Sequence, residues 1–353
     1  MASSDVIGWF ADIGLSDRPH VGGKGGSLGE LQRAGIAVPP GFVVKTGAFD
    51  RLLASLEREF AVRSRIEALS PEDALEKIAA SCAEVRARVE ATALPADVLE
   101  EISAAHAALC GKEAQAQVPV AVRSSATTED AVDASFAGLQ DTYLWVTNLA
   151  EVLHKVRSCW ASLYSVESVS YRRKRGLHEG GVAMAVVVQK MVNARTAGVM
   201  FTRSPVSGDR SVMTIEGAWG LGSAVVGGEV TPDRWVVGKV TGEISVREIS
   251  DKHIQHAPAL AGGIDSVPIA VEQRRQACLS DAELQTLRQI GRKVERHYGR
   301  PQDIEWAVER DSNEILLLQS RPETVWSAKE APPLARPAGN PLSHVMSIFG
   351  GRK

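Results

Sequence analysis

The chain has 353 residues, 44% of them hydrophobic, which is enough for two or three packed subdomains. Its 40 Lys and Arg stand against 43 Asp and Glu, a net charge of −3 that gives no electrostatic reason to expect a nucleic-acid partner. Four cysteines (Cys82, Cys110, Cys159 and Cys278) are scattered without a CxxC pair, which argues against a zinc site or a disulfide framework and fits a reducing cytoplasm. The first residues, MASSDVIGWFADIG, lack the basic-then-apolar plan of a signal peptide. The longest apolar run, residues 182–188, is far too short to span a bilayer, so a cytoplasmic protein with no membrane partner is expected.

Residues 21–31 (VGGKGGSLGEL) read as a glycine-dense loop, with a helix to follow over residues 27–34. Glycines around Lys24 let backbone approach a ligand, and the lysine supplies a mobile charge for phosphate oxygens. The GxxxxGK[ST] order of a Walker A loop is missing, so a flexible turn is the other reading. Residues 35–44 read as a turn into a short buried strand, and residues 47–113 as helices punctuated by Pro71 and Pro95. Leu52, Leu53 and Leu56 form one apolar stripe there; Ala79, Cys82, Val85 and Val89 form another.

A buried strand over residues 118–122 should deliver Arg123 to a Ser/Thr-rich loop, with Gly138 next and Thr142 opening another β run. An arginine at a strand end beside small hydroxyl residues can cradle an anion, or can simply begin a polar connection. Residues 153–175 read as one helix whose basic end, Arg172 to Arg175, is solvated and complements the helix dipole. Residues 181–192 read as a strand. Met and Val side chains there suit packing on an adenine ring, and suit a core strand equally. Arg203, in a turn near Pro205, is a further candidate phosphate contact. Residues 212–216 should form a strand leading into a glycine-rich loop, and residues 234–250 a hairpin turning at Gly242. A helix over residues 280–297 carries a capping box, Ser280 with Glu283, and is stopped by Gly299.

The last hairpin, residues 302–321, puts Ile304, Trp306 and Val308 on one face and Asp303, Glu305 and Ala307 on the other. A three-residue turn at Asp311, Ser312 and Asn313 pairs Arg310 with Glu314, Glu305 with Gln319 and Asp303 with Arg321. A carboxylate and an amide oxygen suit Mg²⁺, and a guanidinium suits a phosphate. An ordinary hairpin with a solvated polar face has the same pattern, and a one-residue slip would separate the three groups. Beyond it, residues 327–353 are rich in Pro and Ala and read as an extended tail.

Taken together, VGGKGGSLGEL, PPGFVV, VAVRSSATTEDAVDASFAGLQDTYL, VVVQKMV, GVMFTRSPVSGD, GAWGLGSAVVGGEVTPDRW and DIEWAVE with ILLLQSRP occur in the order found in one family. Over roughly residues 8–325 the chain resembles the ATP-grasp nucleotide-binding part of the phosphoenolpyruvate synthase and pyruvate phosphate dikinase family. Rifampin phosphotransferases and the ATP-binding subunit of phenylphosphate synthase share that part. The resemblance implies an α+β, ATP-grasp fold whose two subdomains, residues 1–195 and 196–326, clasp ATP. It implies that Lys24 and Arg123 contact phosphates, with Gly138 and Thr142 in the adjoining phosphate loop. Gln189, Lys190, Met191 and Val192 would line the adenine pocket, and Glu305 and Gln319 would bind Mg²⁺. Arg321 would stabilise the phosphoryl group in flight, with Arg123 as its catalytic companion.

In that family the acceptor is a histidine on a swivelling domain, and ATP ends as AMP and phosphate. The sequence has no such domain after residue 326; Asn340 to His344 only faintly echoes its Ser-His motif. The expectation is therefore an ATP-binding subunit that phosphorylates or pyrophosphorylates a histidine-domain partner protein, with phenol or pyruvate as final acceptor. A self-sufficient small-molecule kinase and a non-catalytic nucleotide-binding module are the alternatives. The chain departs from the family's GLGE at Gly220, Leu221, Gly222 and Ser223, where a hydroxyl replaces the carboxylate.

Overall fold

The computed structural model describes residues 4–127, 130–131, 134–135, 141–324 and 326. Gly138, the tail and His344 lie outside the described residues. The elements run β1 (Ile7–Trp9), α1 (Arg18–Arg33), β2 (Gly41–Val44), α2 (Thr46–Phe60), α3 (Val62–Glu67), α4 (Leu75–Ala91) and α5 (Ala96–Lys112). There follow β3 (Val120–Ala126), the two-residue strands β4 (Asp130–Ala131) and β5 (Ala134–Ser135), β6 (Thr142–Val146), α6 (Leu149–Ser162), α7 (Val166–Lys174) and β7 (Met184–Lys190). β1, β2, β7, β3 and β6 lie in that order in one antiparallel sheet. Helices α2, α5 and α6 pack on its strands and α4 packs on α6; Leu52, Leu53, Cys82, Val85, Val89 and Trp160 meet in a single core.

The second half continues with β8 (Ala194–Phe201), β9 (Val212–Trp219), α8 (Ser223–Val226), β10 (Asp233–Gly238), β11 (Ile244–Glu248), β12 (Ile254–Pro258) and β13 (Ile264–Pro268). It ends with α9 (Val271–Arg274), α10 (Asp281–Tyr298), β14 (Gln302–Glu309) and β15 (Ile315–Pro322). A six-stranded antiparallel sheet has the order β11, β10, β9, β8, β14, β15, and β12 and β13 pair as a separate hairpin. The α10 stripe of Leu284, Leu287 and Val294 covers one face, with Trp235 and Trp306, both wholly buried, beneath it. Ser280 accepts from Glu283 N and closes the capping box, and Gly299 at φ 69° ends the helix. The protein is thus of the α+β class, as the resemblance implies. Among the described residues, no helix is long and apolar enough to cross a membrane.

Helix α1 joins the two sheets. It packs on β2, β3 and β7 of the first and on β15 of the second. Ser27 Oγ donates to Ser320 O at 2.6 Å, and Leu317 N donates to Ala37 O at 2.9 Å.

Four expectations are corrected. The helix expected over residues 27–34 begins earlier: residues 23–26 are helical rather than loop, and α1 joins two helical segments across a kink at the non-helical Gly22 (φ 69°, ψ 178°). A Cβ there would meet Ser125 O at 2.1 Å, so only glycine permits this close seat on β3. The single helix over residues 153–175 is two: the chain breaks after Ser162, and Ser165 recaps α7 by accepting from Ser168 N. Arg172 is not solvated. It is 1% exposed, bound to Glu179 at 2.9 and 3.1 Å, to Leu163 O and to Ser168 Oγ. β3 runs on past residue 122 to Ala126, so Arg123 lies within the strand rather than at its end.

Candidate functional site

The hairpin of β14 and β15 supplies one wall of a cavity of about 880 Å³. Asp303 pairs with Arg321 and Glu305 with Gln319, as the alternation predicts. The register then slips by one residue between Glu305 and Trp306, so Glu309 rather than Arg310 faces Glu314. The slip is a β-bulge, which sequence alternation alone does not reveal. Asn313 takes the left-handed conformation (φ 55°) within a turn one residue longer than expected. Because the bulge lies on the turn side, the three polar groups stay together.

Strand β3 brings the opposite wall. Arg123 is paired in its strand with Thr142 and Val187, and its guanidinium crosses to the second sheet. Nη2 donates to Glu305 Oε2 at 3.0 Å and to Gln319 Oε1 at 2.6 Å, while Nη1 donates to Leu318 O at 3.0 Å. One carboxylate oxygen and one amide oxygen therefore converge on a single positive point. That is the donor set for a hard cation completed by phosphate oxygens and water. Among the described residues no group of three His, Cys, Asp or Glu could hold a metal by itself. A cation held here would depend on its ligand for the remaining oxygens.

Lys24 enters the cavity from the first turn of α1 beyond the Gly22 kink. Gly25 N donates to Ser125 Oγ at 3.2 Å, and Ser125 Oγ donates to Val21 O at 2.9 Å, which fixes that turn on β3. Arg321 is half-exposed, with Nε 3.4 Å from Asp303 Oδ2. Burial pushes the Asp303 carboxyl above the usual range, against the pull of Arg321. Tyr143 and Lys155 add to the polar lining, the ammonium 4.5 Å from the centre of the Tyr143 ring. Burial and a 2.8 Å bond to Asp141 push the Tyr143 phenol well up.

The other end of the cavity is apolar. Val192, Ala194, Ala197, Leu221 and Ala307 form a buried cluster, with Trp145, Met191, Ile264 and Leu318 packed against it. Met191 and Val192 follow directly on β7, and Gln189 and Lys190 also line the cavity. Lys190 pairs with Glu113, and the Gln189 side chain is buried beside Pro39 O. Trp145 takes φ 57°, rare for a bulky residue, at a bulge in the pairing of β6 with β3.

Of the residues singled out from sequence, Lys24, Arg123, Thr142, Gln189, Lys190, Met191, Val192, Glu305, Gln319 and Arg321 all line this one cavity. Arg203 does not. It is buried in its own turn, donating to Gly208 O at 2.7 Å, 3.8 Å from Glu323 and stacked over Trp326. Trp145, Lys155, Glu229 and His256 were not anticipated, since no periodicity or spacing links them to the other residues. Ser223 stands out in the sequence only as a departure from the family pattern.

The sequence profile of the pyruvate phosphate dikinase AMP/ATP-binding domain matches residues 18–338. A probable phosphoenolpyruvate synthase of Methanothermobacter thermautotrophicus is 41% identical over 318 residues, 90% of this chain and 46% of that protein. The probable phosphoenolpyruvate synthase of Archaeoglobus fulgidus is 44% identical over 316 residues, 90% of this chain and 41% of its own length. A rifampicin phosphotransferase of Streptomyces sviceus is 44% identical over 314 residues, 89% of this chain and 35% of that enzyme. The chain thus spans less than half the length of each of these relatives.

Proposed function

Because the chain belongs to the pyruvate phosphate dikinase AMP/ATP-binding domain family, we propose that it binds Mg·ATP in the cavity between its two sheets. In this reading the fold is an ATP-grasp, with subdomains over residues 1–195 and 196–326. The adenine packs at the apolar end against Met191 and Val192, beside Gln189 and the backbone of Lys190. The triphosphate reaches Lys24, Arg123 and Thr142. Glu305 and Gln319 hold Mg²⁺, which when bound neutralises charge on the phosphate oxygens. The observation that carries the reading is the convergence of Lys24, Arg123, Glu305, Gln319 and Arg321 on one cavity, from segments far apart in the chain.

Phosphoryl transfer asks mainly for positioning and charge neutralisation, so no side-chain base is needed here. Arg123 already neutralises Glu305 and orients Gln319, and it shifts its donors to the phosphates when they arrive. Arg321, bound only loosely to Asp303, has donors to offer the phosphoryl group as charge builds on it. The acceptor is a histidine on a separate phosphohistidine-domain protein, which attacks the β-phosphorus as AMP leaves; water takes off the outer group as phosphate, and the phosphoryl group left on the histidine passes to a small molecule such as pyruvate or phenol. Nucleotide analysis tests this. Mg·ATP with the chain and such a domain should yield AMP, and Arg321→Ala should abolish it. Rapid conversion of ATP to ADP by the chain without such a domain would count against this scheme, and ADP formed together with a phosphorylated small molecule would make it a direct kinase.

A further inference from the structure

Three side chains of the cavity wall form a hydrogen-bonded row that the phosphate chemistry does not use. His256, on β12 and 7% exposed, has Nδ1 2.8 Å from Ser223 Oγ and Nε2 3.2 Å from Glu229 Oε2. All three residues line the cavity. The row is held from behind, because Leu221 N donates to His256 O at 2.9 Å and ties the β12 backbone to the start of α8.

The direction of the bonds follows from the end of the row. A carboxylate only accepts, so an imidazole proton sits on Nε2, facing Glu229. In the tautomer that carries this proton alone, Nδ1 accepts and the Ser223 hydroxyl donates to it. The serine oxygen keeps its lone pairs for the cavity, and they can be satisfied only by a donor. Phosphate oxygens are acceptors, so this position does not suit them; a ligand hydroxyl fits.

Its place along the cavity agrees. Leu221 belongs to the apolar cluster, and Gly222 lies against Ala197 and Gly198 of β8. The next residue on β8, Val199, is paired with Glu305. Ser223 therefore stands between the apolar end and the charged end, where a nucleotide carries its sugar. We infer that Ser223, oriented by His256 and Glu229, reads a ribose hydroxyl and makes the site selective for ribonucleotides. This rests on the nucleotide reading above.

The test is equilibrium binding of ATP, 2′-deoxy-ATP and 3′-deoxy-ATP to the full chain with Mg²⁺, by titration calorimetry. The wild-type protein should favour ATP over one deoxy analogue by about tenfold, the worth of one such hydrogen bond. Ser223→Ala and His256→Leu should bring that ratio close to one, and Ser223→Thr, which keeps the hydroxyl, should restore it. A purely structural role would weaken all three nucleotides together, and that result overturns the inference. So does equal wild-type affinity for all three, or an unchanged ratio in Ser223→Ala. If the wild-type chain binds none of the nucleotides, the nucleotide reading itself falls and takes this inference with it. Binding of ATP that Arg321→Ala weakens, with a ratio that Ser223→Ala leaves intact, removes the sugar reader alone.

Discussion

Two arginines, Arg172 at the end of α7 and Arg123 at the cavity, hold glutamates at nearly the same distance, 2.9 and 3.0 Å. Their surroundings differ. The side chains of Arg172 and Glu179 are 2% and 1% exposed, and every guanidinium nitrogen there has a protein partner. Glu305, the partner of Arg123, is 33% exposed and opens onto the cavity. A sealed pair contributes to one folded arrangement and has nothing left for a ligand. A pair with one open carboxylate is available to exchange partners, which makes it suited to chemistry.

The comparison can be broken from either side. Arg172→Met leaves the Glu179 charge enclosed and unpaired, so unfolding in urea should show a loss of about 3–5 kcal/mol. Affinity for nucleotide, measured while the variant is still folded, should hardly change. A loss below about 1 kcal/mol would mean that water reaches the pair. Glu305→Gln should do the reverse. Stability should stay within about 1 kcal/mol of wild type, while Mg²⁺-dependent phosphoryl transfer drops about 10²–10³-fold. Normal turnover in that variant would remove the carboxylate from the proposed site.

A smaller effect sharpens the contrast by adding a sealed group with no counter-charge. His106 on α5 is buried, its Nε2 has no partner among the described residues, and burial lowers its pKa below the ordinary 6.5. As pH falls below 6.5 the unfolded chain takes up this proton before the folded one does. The folded state therefore loses stability in that window and is unaffected above it. The slope from this residue is at most about 1.4 kcal/mol per pH unit. His106→Gln should flatten the acid limb of a stability-versus-pH curve, and an unchanged limb would assign it to other groups.

What the sequence made legible follows from how local each signal is. Alternation placed Glu305 opposite Gln319, and the Ser280, Glu283 and Gly299 signals set both ends of α10, because those signals lie within a few residues of one another. The bulge beside Trp306 and the break between α6 and α7 escaped, since packing decides them. The basic run at Arg172 misleads because charge alone suggests solvation, whereas Glu179, seven residues on, pairs with it in the interior. At the cavity, each residue alone had a bland reading, and only the ordered set of motifs joined Lys24 to Arg321. The hydroxyl at Ser223 looked like the loss of a carboxylate. The fold returns one to the neighbourhood, Glu229, relayed through a histidine far along the chain.

The seat of α1 on both sheets has a mechanical consequence. On that side the halves are stitched by Ser27 to Ser320, Leu317 to Ala37 and Arg123 to Leu318. Across the mouth, the hairpin of β12 and β13 reaches the first sheet through Gly263 N donating to Trp145 O at 3.1 Å. Among the described residues, the molecule is bound like a book along a spine, with this hairpin as a clasp at its fore-edge. Loading and unloading should therefore proceed by lifting the clasp, and in amide hydrogen exchange Gly263 should trade its proton far sooner than Leu317. With the spine intact throughout, Lys24 and Arg321 would keep their spacing while the pages part, and the phosphate end would stay set for the next nucleotide.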